Sequence, residues 1–463
     1  MRLGHKVTIA LATALPLAAA PAAVASSAPV GHPARYAAAA ATPITHIVVL
    51  MQENHTFDNE LGYWCAQTGR CLGMPAKVTL KGGIVVTPSV TADIVPVVGH
   101  TVKAQTAAID GGAMDGWAKV QGCTPPAYAC VSGYEPSSVP NLTSLASTYA
   151  VLDHAFYQAE TPTWGGHMEE FAATTDGFSG DDPHSITGPG WGCDSGGLAP
   201  TFAGTNEPSC VPDYSLPAAQ YPYGGAFEPT TIQQVPTILT EMDSASVSWK
   251  IYSATAAEGG YRLSGCPTFA SCVYTSEDKQ LVTSAQFFTD AKAGTLPNVS
   301  FLMPAGSTDI RYDQHNTQSN AAGDNWIGKV ASAIMGSPDW SSTAFIITYD
   351  DCGCFYDQVP PPVGPDGRQD GPRAPFVIVS PYAKSGYTDS TPTTSTGSIL
   401  AFIEADFGLP ALNANDAHAY NLMGAFNFTA APQLTHPRML WRKLPASDYR
   451  VNPAALKDLS DGT

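Results

Sequence analysis

Two short apolar runs, each closing in an acidic cluster, constrain this chain more than any other feature. The first runs from Thr45 through Ile47, Val48, Val49 and Leu50 to Glu53, Asn54 and then Asp58. The second runs from Ala344 through Phe345, Ile346 and Ile347 to Tyr349, Asp350, Asp351 and later Asp357. A short run of Ile, Val and Phe bounded by polar residues reads as a buried strand. In open α/β sheets, functional groups gather beyond the carboxyl ends of such strands. Glu53, Asn54, Asp350 and Asp351 are therefore expected to meet at one sheet edge, although they lie far apart in sequence. Hard oxygen ligands of this kind suit a divalent cation, whose identity the sequence leaves open. Either cluster alone would be no more than a polar cap on a strand; the pair, together with the motif around Thr163 described below, points to a metal site.

Further strands are expected at Tyr149–Phe156, Val247–Tyr252, Val299–Met303 and Pro375–Ser380. Apolar residues at helical spacing predict helices over Asn325–Met335 and Ser398–Phe407, the second capped by Ser395 or Thr396 and ended by Gly408. Strands alternating with helices imply an α/β fold, a mostly parallel central sheet with helices on both faces. Between Asp176 and Pro236 the chain is rich in Gly, Pro, Ser and Asp, which suggests a long excursion over the surface. The expected organisation is a signal peptide over 1–25, an Ala/Pro-rich linker over 26–43, one catalytic domain over 44–430 and a tail over 431–463.

The signal peptide rests on a basic start, an apolar run over Val7–Ala23 and small residues Ala23, Val24 and Ala25 before Ser26. No later stretch is long and apolar enough to span a bilayer, so a secreted protein without stable membrane insertion is expected. Ten cysteines in such a chain suggest disulfides. Spacing invites Cys65 with Cys71, Cys123 with Cys130, Cys193 with Cys210, and Cys266 with Cys272. Cys352 and Cys354 remain, as a strained bridge or a soft-metal site. The net charge of −18 excludes a nucleic-acid groove. It would also repel a phosphate ester, unless a bound cation inverts the local field.

Three further segments complete a pattern. Gly111, Gly112, Met114, Asp115, Gly116 and Trp117 form one. Pro162, Thr163, Trp164, Gly165, Gly166 and His167 form the second. In the third, Tyr349, Asp350 and Asp351 lead to Asp357, Val359 and Pro360–Pro362, then Gly371–Pro375. With the Glu53-Asn54 opening, the chain resembles the bacterial phosphoesterase family that includes secreted phospholipases C and certain acid phosphatases. The resemblance implies an alkaline-phosphatase-like α/β sandwich and hydrolysis of a phosphate ester or phospholipid. It implies that Thr163 is the nucleophile, activated by a cation on Glu53, Asn54, Asp350 and Asp351, and that it forms a phosphothreonine. His100 and His315 match family histidines that neutralise charge and protonate the leaving group. His167 reads as support for the nucleophile turn. Asp58 reads as an outer residue orienting the loop after Asn54, and His55 and His154 as structural.

Two departures stand out. Cys352-Gly353-Cys354 occupies the place where the family often has a His after its acidic pair. Ser395-Thr396-Gly397-Ser398 replaces a family segment that carries another. The competing reading is a catalytically decayed secreted binding protein on the same scaffold.

Overall fold

Seven consecutive register pairs, from His46 opposite Thr343 to Gln52 opposite Tyr349, join the two apolar runs as parallel strands at the centre of an eight-stranded sheet. The computed structural model describes residues 42–175, 181, 192–193, 208–212, 227–234, 236–253, 261–304, 312–391 and 394–450, with backbone alone at 208–212, 227–234, 262 and 274. The expected signal peptide and most of the 176–236 excursion lie outside the described residues.

The sheet strands in chain order are β1 (His46–Gln52), β2 (Ala150–Leu152), β3 (Trp249–Ser253), β4 (Leu281–Thr283), β5 (Val299–Leu302), β6 (Thr343–Tyr349), β7 (Val377–Val379) and β8 (Tyr387–Asp389). Their spatial order is β4-β3-β5-β1-β6-β7-β2-β8. All neighbours run parallel except β7, which is antiparallel to both β6 and β2. Strands covered on both faces need apolar side chains throughout rather than in alternation. Val48, Val49, Leu50, Phe345, Ile346 and Ile347 are accordingly buried to the last per cent or so.

Helices Pro140–Thr148, Ser284–Ala293 and Asn320–Met335 pack together. A second group unites Thr163–Ala172, Ile238–Ser244 and Gly397–Phe407. This is the expected α/β architecture with helices on both faces. Asn320–Met335 begins five residues before the expected Asn325, because the Ser319 hydroxyl caps it by accepting from Ala322 N. Thr396 stands before Gly397–Phe407 but gives it no side-chain cap. The expected strand Tyr149–Phe156 breaks after Leu152. There Asp153 pairs with His154 and accepts from the Ser390 hydroxyl, and Ala155–Phe156 joins a separate ladder with Thr394–Ser395.

A second apolar cluster gathers Met74, Val95, Ile109, Trp117 and Tyr356 around the Cys123–Cys130 bond. Trp117 is wholly buried there, which makes it a fold residue. The tail straps the first helix group, with Leu440 N donating to Asn141 Oδ1 and Arg442 N to Asn325 Oδ1. The bonds Cys65–Cys71, Cys123–Cys130 and Cys266–Cys272 form, and Cys193 is also disulfide-bonded. Cys210, its expected partner, lies outside the described side chains. Cys352 and Cys354 form no bridge: both are free, buried thiols with their sulfurs 3.7 Å apart.

Candidate active site

The parallel register of β1 and β6 builds the site directly. With Gln52 opposite Tyr349, the next residues out are Glu53 beside Asp350 and Asn54 beside Asp351. The ladder runs one step further, Asp350 N donating to Gln52 O at 2.9 Å. β5 lies on the other flank of β1, and the segment after it returns so that Glu53 N donates to Asp313 O at 2.8 Å. That contact delivers His315 to the same edge.

Asn54 takes the left-handed conformation, φ 65°, and its N–H donates to Asp350 Oδ1 at 3.0 Å. Gly353 is pressed against it: a Cβ there would lie 2.1 Å from Asn54 O. Gly353 N in turn donates to Asp351 Oδ1 at 2.7 Å, leaving Oδ2 facing inward. Thr163 opens the helix Thr163–Ala172, and its hydroxyl donates to that Oδ2 at 3.4 Å. The helix comes so close that a Cβ at Gly166 would lie 2.4 Å from Asp350 O. A helix start also presents backbone N–H groups and a positive dipole end, which suit phosphoryl oxygens.

The Asn54 carboxamide bridges two sets of groups. One amide atom lies 2.9 Å from Asp351 Oδ2 and 3.3 Å from Asp350 Oδ1; the other lies 3.3 Å from His100 Nε2 and 2.9 Å from His315 Nε2. The two imidazoles meet edge to face, centroids 5.7 Å apart. His100 Nδ1 is 3.2 Å from Val98 O and His315 Nδ1 is 3.2 Å from Asn316 O, so each Nε2 points into the site. Gln105 ties this wall to the nucleophile, its Nε2 donating to His100 O and to Thr161 O. Asn316 holds the Val98 carbonyl at 2.7 Å. All seven residues expected from the sequence, Glu53, Asn54, His100, Thr163, His315, Asp350 and Asp351, thus lie at one edge and are buried.

His167 belongs to the same site, which the sequence pattern understates. Four residues after Thr163 on one helix, it shares that residue's face. Its Nε2 lies 3.7 Å from Glu53 Oε1 and its Nδ1 3.5 Å from Glu170 Oε2. Burial lowers the His167 pKa, but Glu170, Glu53 and the Asp350 charge outweigh that and push it up to about 10. Burial and the nearby Glu53 push the Asp350 carboxyl above its usual range.

The donor set fits a hard cation. Glu53, Asp350 and Glu170 are three carboxylates buried beside the His167 imidazole, and the buried Asp351 follows Asp350 in the chain; buried carboxylates call for compensating positive charge. Asp350 Oδ2 accepts no hydrogen bond. Glu53, His167 and Asp350 each offer a ligand atom within 4.8 Å of the others. With its oxygen turned toward the aspartates, Asn54 would add a further oxygen ligand while its nitrogen faced the two imidazoles.

Asp58 reaches the loop after Asn54 through Arg373, whose carbonyl accepts from Phe57 N at 2.9 Å. It accepts from Gln358 N and from Arg373, whose guanidinium also donates to Asp357 at 2.8 Å. This buried triad fastens the first helix, Phe57–Thr68, to the chain beyond the acidic pair. His55 bonds Asn59 and the Gln314 carbonyl, consistent with a structural role.

The Phosphoesterase family profile matches residues 44–410. Phospholipase C A of Mycobacterium tuberculosis is 25% identical, over 86% of this chain and 80% of that protein. Non-specific phospholipase C1 of Arabidopsis thaliana is 25% identical, over 90% of this chain and 76% of that protein. The non-hemolytic phospholipase C of Burkholderia pseudomallei is also 25% identical, but this chain spans only 62% of its length. Among solved structures, a protein in the alkaline phosphatase superfamily from Vibrio parahaemolyticus aligns over 84% of this chain and 71% of its own, at TM-score 0.36 and 12% identity.

Proposed function

Because this chain belongs to the phosphoesterase family, hydrolases acting on phosphate esters, we propose that it cleaves a phospholipase C-type diester or a phosphate monoester through a covalent phosphothreonine at Thr163. The observation that carries this reading is the Asn54 bridge, which places the aspartates on one side and two imidazoles on the other, with Thr163 facing Asp351.

Glu53, Asn54, Asp350 and Asp351, with His167 beside them, would hold a divalent cation. When bound, it would supply positive charge for phosphoryl oxygens and for an ionised hydroxyl. The chain's own groups do the rest. Thr163 Oγ1 attacks phosphorus as its proton passes to Asp351 Oδ2. The new Oγ–P bond forms while the ester P–O bond breaks, and the leaving alkoxide takes a proton from Nε2 of a protonated His100 or His315. Water then attacks phosphorus, and Thr163 recovers its proton as inorganic phosphate or a phosphorylated headgroup leaves. N–H groups at the helix start align with the equatorial oxygens throughout.

Export is part of this proposal. The basic and apolar start of the sequence and the disulfides fit an oxidising compartment. Among the described residues no helix is long and apolar enough to cross a membrane.

The test is a paired assay of the chain from Ser26 on a chromogenic phosphate monoester and a chromogenic phosphocholine diester, with chelator or added divalent cations. Chelator-sensitive turnover supports the proposal, and the preferred ester separates phosphatase from phospholipase C. No turnover of either ester with any cation would favour a non-catalytic binding protein on this scaffold.

A further inference from the structure

Cys352, Gly353 and Cys354 follow directly on the acidic pair Asp350 and Asp351. The two thiols are wholly buried, with their sulfurs 3.7 Å apart and Cys354 N donating to Cys352 Sγ at 3.1 Å. The seven other cysteines with described side chains are all disulfide-bonded. Buried cysteines often serve only as small hydrophobes, and both thiols do pack in the second apolar cluster. What sets this pair apart is the residue between them.

Gly353 touches both acidic clusters. Its N–H holds Asp351 Oδ1 at 2.7 Å, and its Cα is pressed on Asn54, where a Cβ would lie 2.1 Å from the carbonyl oxygen. The chain is pinned on both sides of it. Before the turn, Asp350 N donates to Gln52 O at 2.9 Å. After it, Tyr356 N donates at 2.9 Å to the carbonyl of Cys130, itself bonded to Cys123. A disulfide holds its sulfurs about 2.05 Å apart, so closing this pair draws them together by about 1.7 Å. With both flanks held, the motion falls on the Gly353 peptide, the one link without a side chain.

We propose that Cys352 and Cys354 are a modification site for a hydroperoxide, closing to a disulfide that draws the Gly353 N–H away from Asp351. One sulfur takes an oxygen from hydrogen peroxide to become a sulfenic acid, and water leaves. The second thiol attacks that sulfur, the S–S bond forms and a second water leaves. The thiols give up two electrons and two protons, and the broken O–O bond takes them. Burial bars bulky disulfides and keeps this pair reduced while the other cysteines are bonded. Hydrogen peroxide is little larger than water and enters through local opening. Asp351, released by Gly353, no longer presents Oδ2 to Thr163. The loss of turnover that follows rests on the phosphoesterase mechanism proposed above; the closure and the movement of the turn do not.

The test treats the folded full chain with hydrogen peroxide, then counts alkylatable thiols in denaturant, maps unreduced peptides and follows amide exchange at Gly353. The two free thiols should disappear, and the peptide carrying both should become lighter by two hydrogens. Exchange at Gly353 should quicken about tenfold or more, and ester turnover should fall about tenfold or more. Cys354→Ala under the same peroxide should keep its exchange and its turnover, which separates this site from methionine oxidation. The readings on the parent chain stand even if that variant fails to fold, and the thiol and exchange readings stand even if no ester is cleaved. Thiols that stay alkylatable at peroxide levels that oxidise methionine would overturn the proposal. So would a sulfinic acid without a bridge, a bridge that leaves Gly353 exchange unchanged, or an equal loss of turnover in Cys354→Ala.

Discussion

The Asn54 amide, in a left-handed turn, donates to Asp350 Oδ1 across 296 residues of chain. This hydrogen bond is one of those that link the two acidic clusters. Backbone shape and side-chain chemistry at Asn54 can be separated by substitution. Asn54→Ala should lower the melting temperature, since a Cβ in the left-handed region costs about 1–2 kcal/mol and alanine has no carboxamide to compensate. Asn54→Gly should keep stability, yet both variants should lose about tenfold to a hundredfold in turnover. Melting curves and ester hydrolysis on the two proteins check this.

Cation removal should act on stability as well as activity. A ligand bound only by the folded state stabilises it by about 2.7 kcal/mol at a hundred times its dissociation constant. Chelation is therefore expected to lower the melting temperature, and a divalent cation to restore it. In Asp350→Asn the restoring shift should shrink. A melting temperature indifferent to chelator, with no cation found by elemental analysis, would count against the metal site.

Arg373 carries a different expectation. It is fully buried between Asp58 and Asp357, 3.1 and 2.8 Å away. Arg373→Met would leave two carboxylates buried without their partner, a change that costs about 3–5 kcal/mol. Denaturant unfolding should show that loss. Asp58→Asn, which keeps the shape and removes one charge, should cost less.

Glu404 gives a pH dependence far from the catalytic edge. Burial and the adjacent Asp416 push its pKa from the ordinary 4.5 up to about 10. The folded state then holds a proton that the unfolded state has released, so stability falls as pH rises through that window. Glu404→Gln removes the effect. The melting temperature of the variant minus that of the parent should grow steadily from about pH 5 to about pH 9.

The sheet edge is legible in the sequence because strands buried on both faces must be apolar throughout, and such runs are hard to mistake. Once β1 and β6 pair in register from His46 to Tyr349, Glu53, Asn54, Asp350 and Asp351 have to meet. Less of the surroundings can be read. His167 reads from the sequence only as support for the nucleophile turn, and two glycines precede it. Those glycines sit inside a helix, where the spacing of four from Thr163 is the signal that would have found it. Gln105 and Asn316 reach their partners only through positions fixed by tertiary packing, and no local pattern marks them; Arg373 lies in the Gly371–Pro375 segment, but its pairing with Asp58 and Asp357 is set by packing. The antiparallel turn of β7 is equally silent, since a three-residue apolar strand carries no direction.

Thr163 as a covalent nucleophile is the central claim, and trapping tests it most directly. The protein is mixed with a chromogenic phosphate ester, quenched in acid during turnover, digested and read by mass spectrometry. The account predicts a phosphate adduct on Thr163, absent from Thr163→Ala, whose turnover should fall about a thousandfold or more, with Thr163→Ser retaining part. Full turnover by folded Thr163→Ala, or a trapped phosphate on another residue, would contradict it.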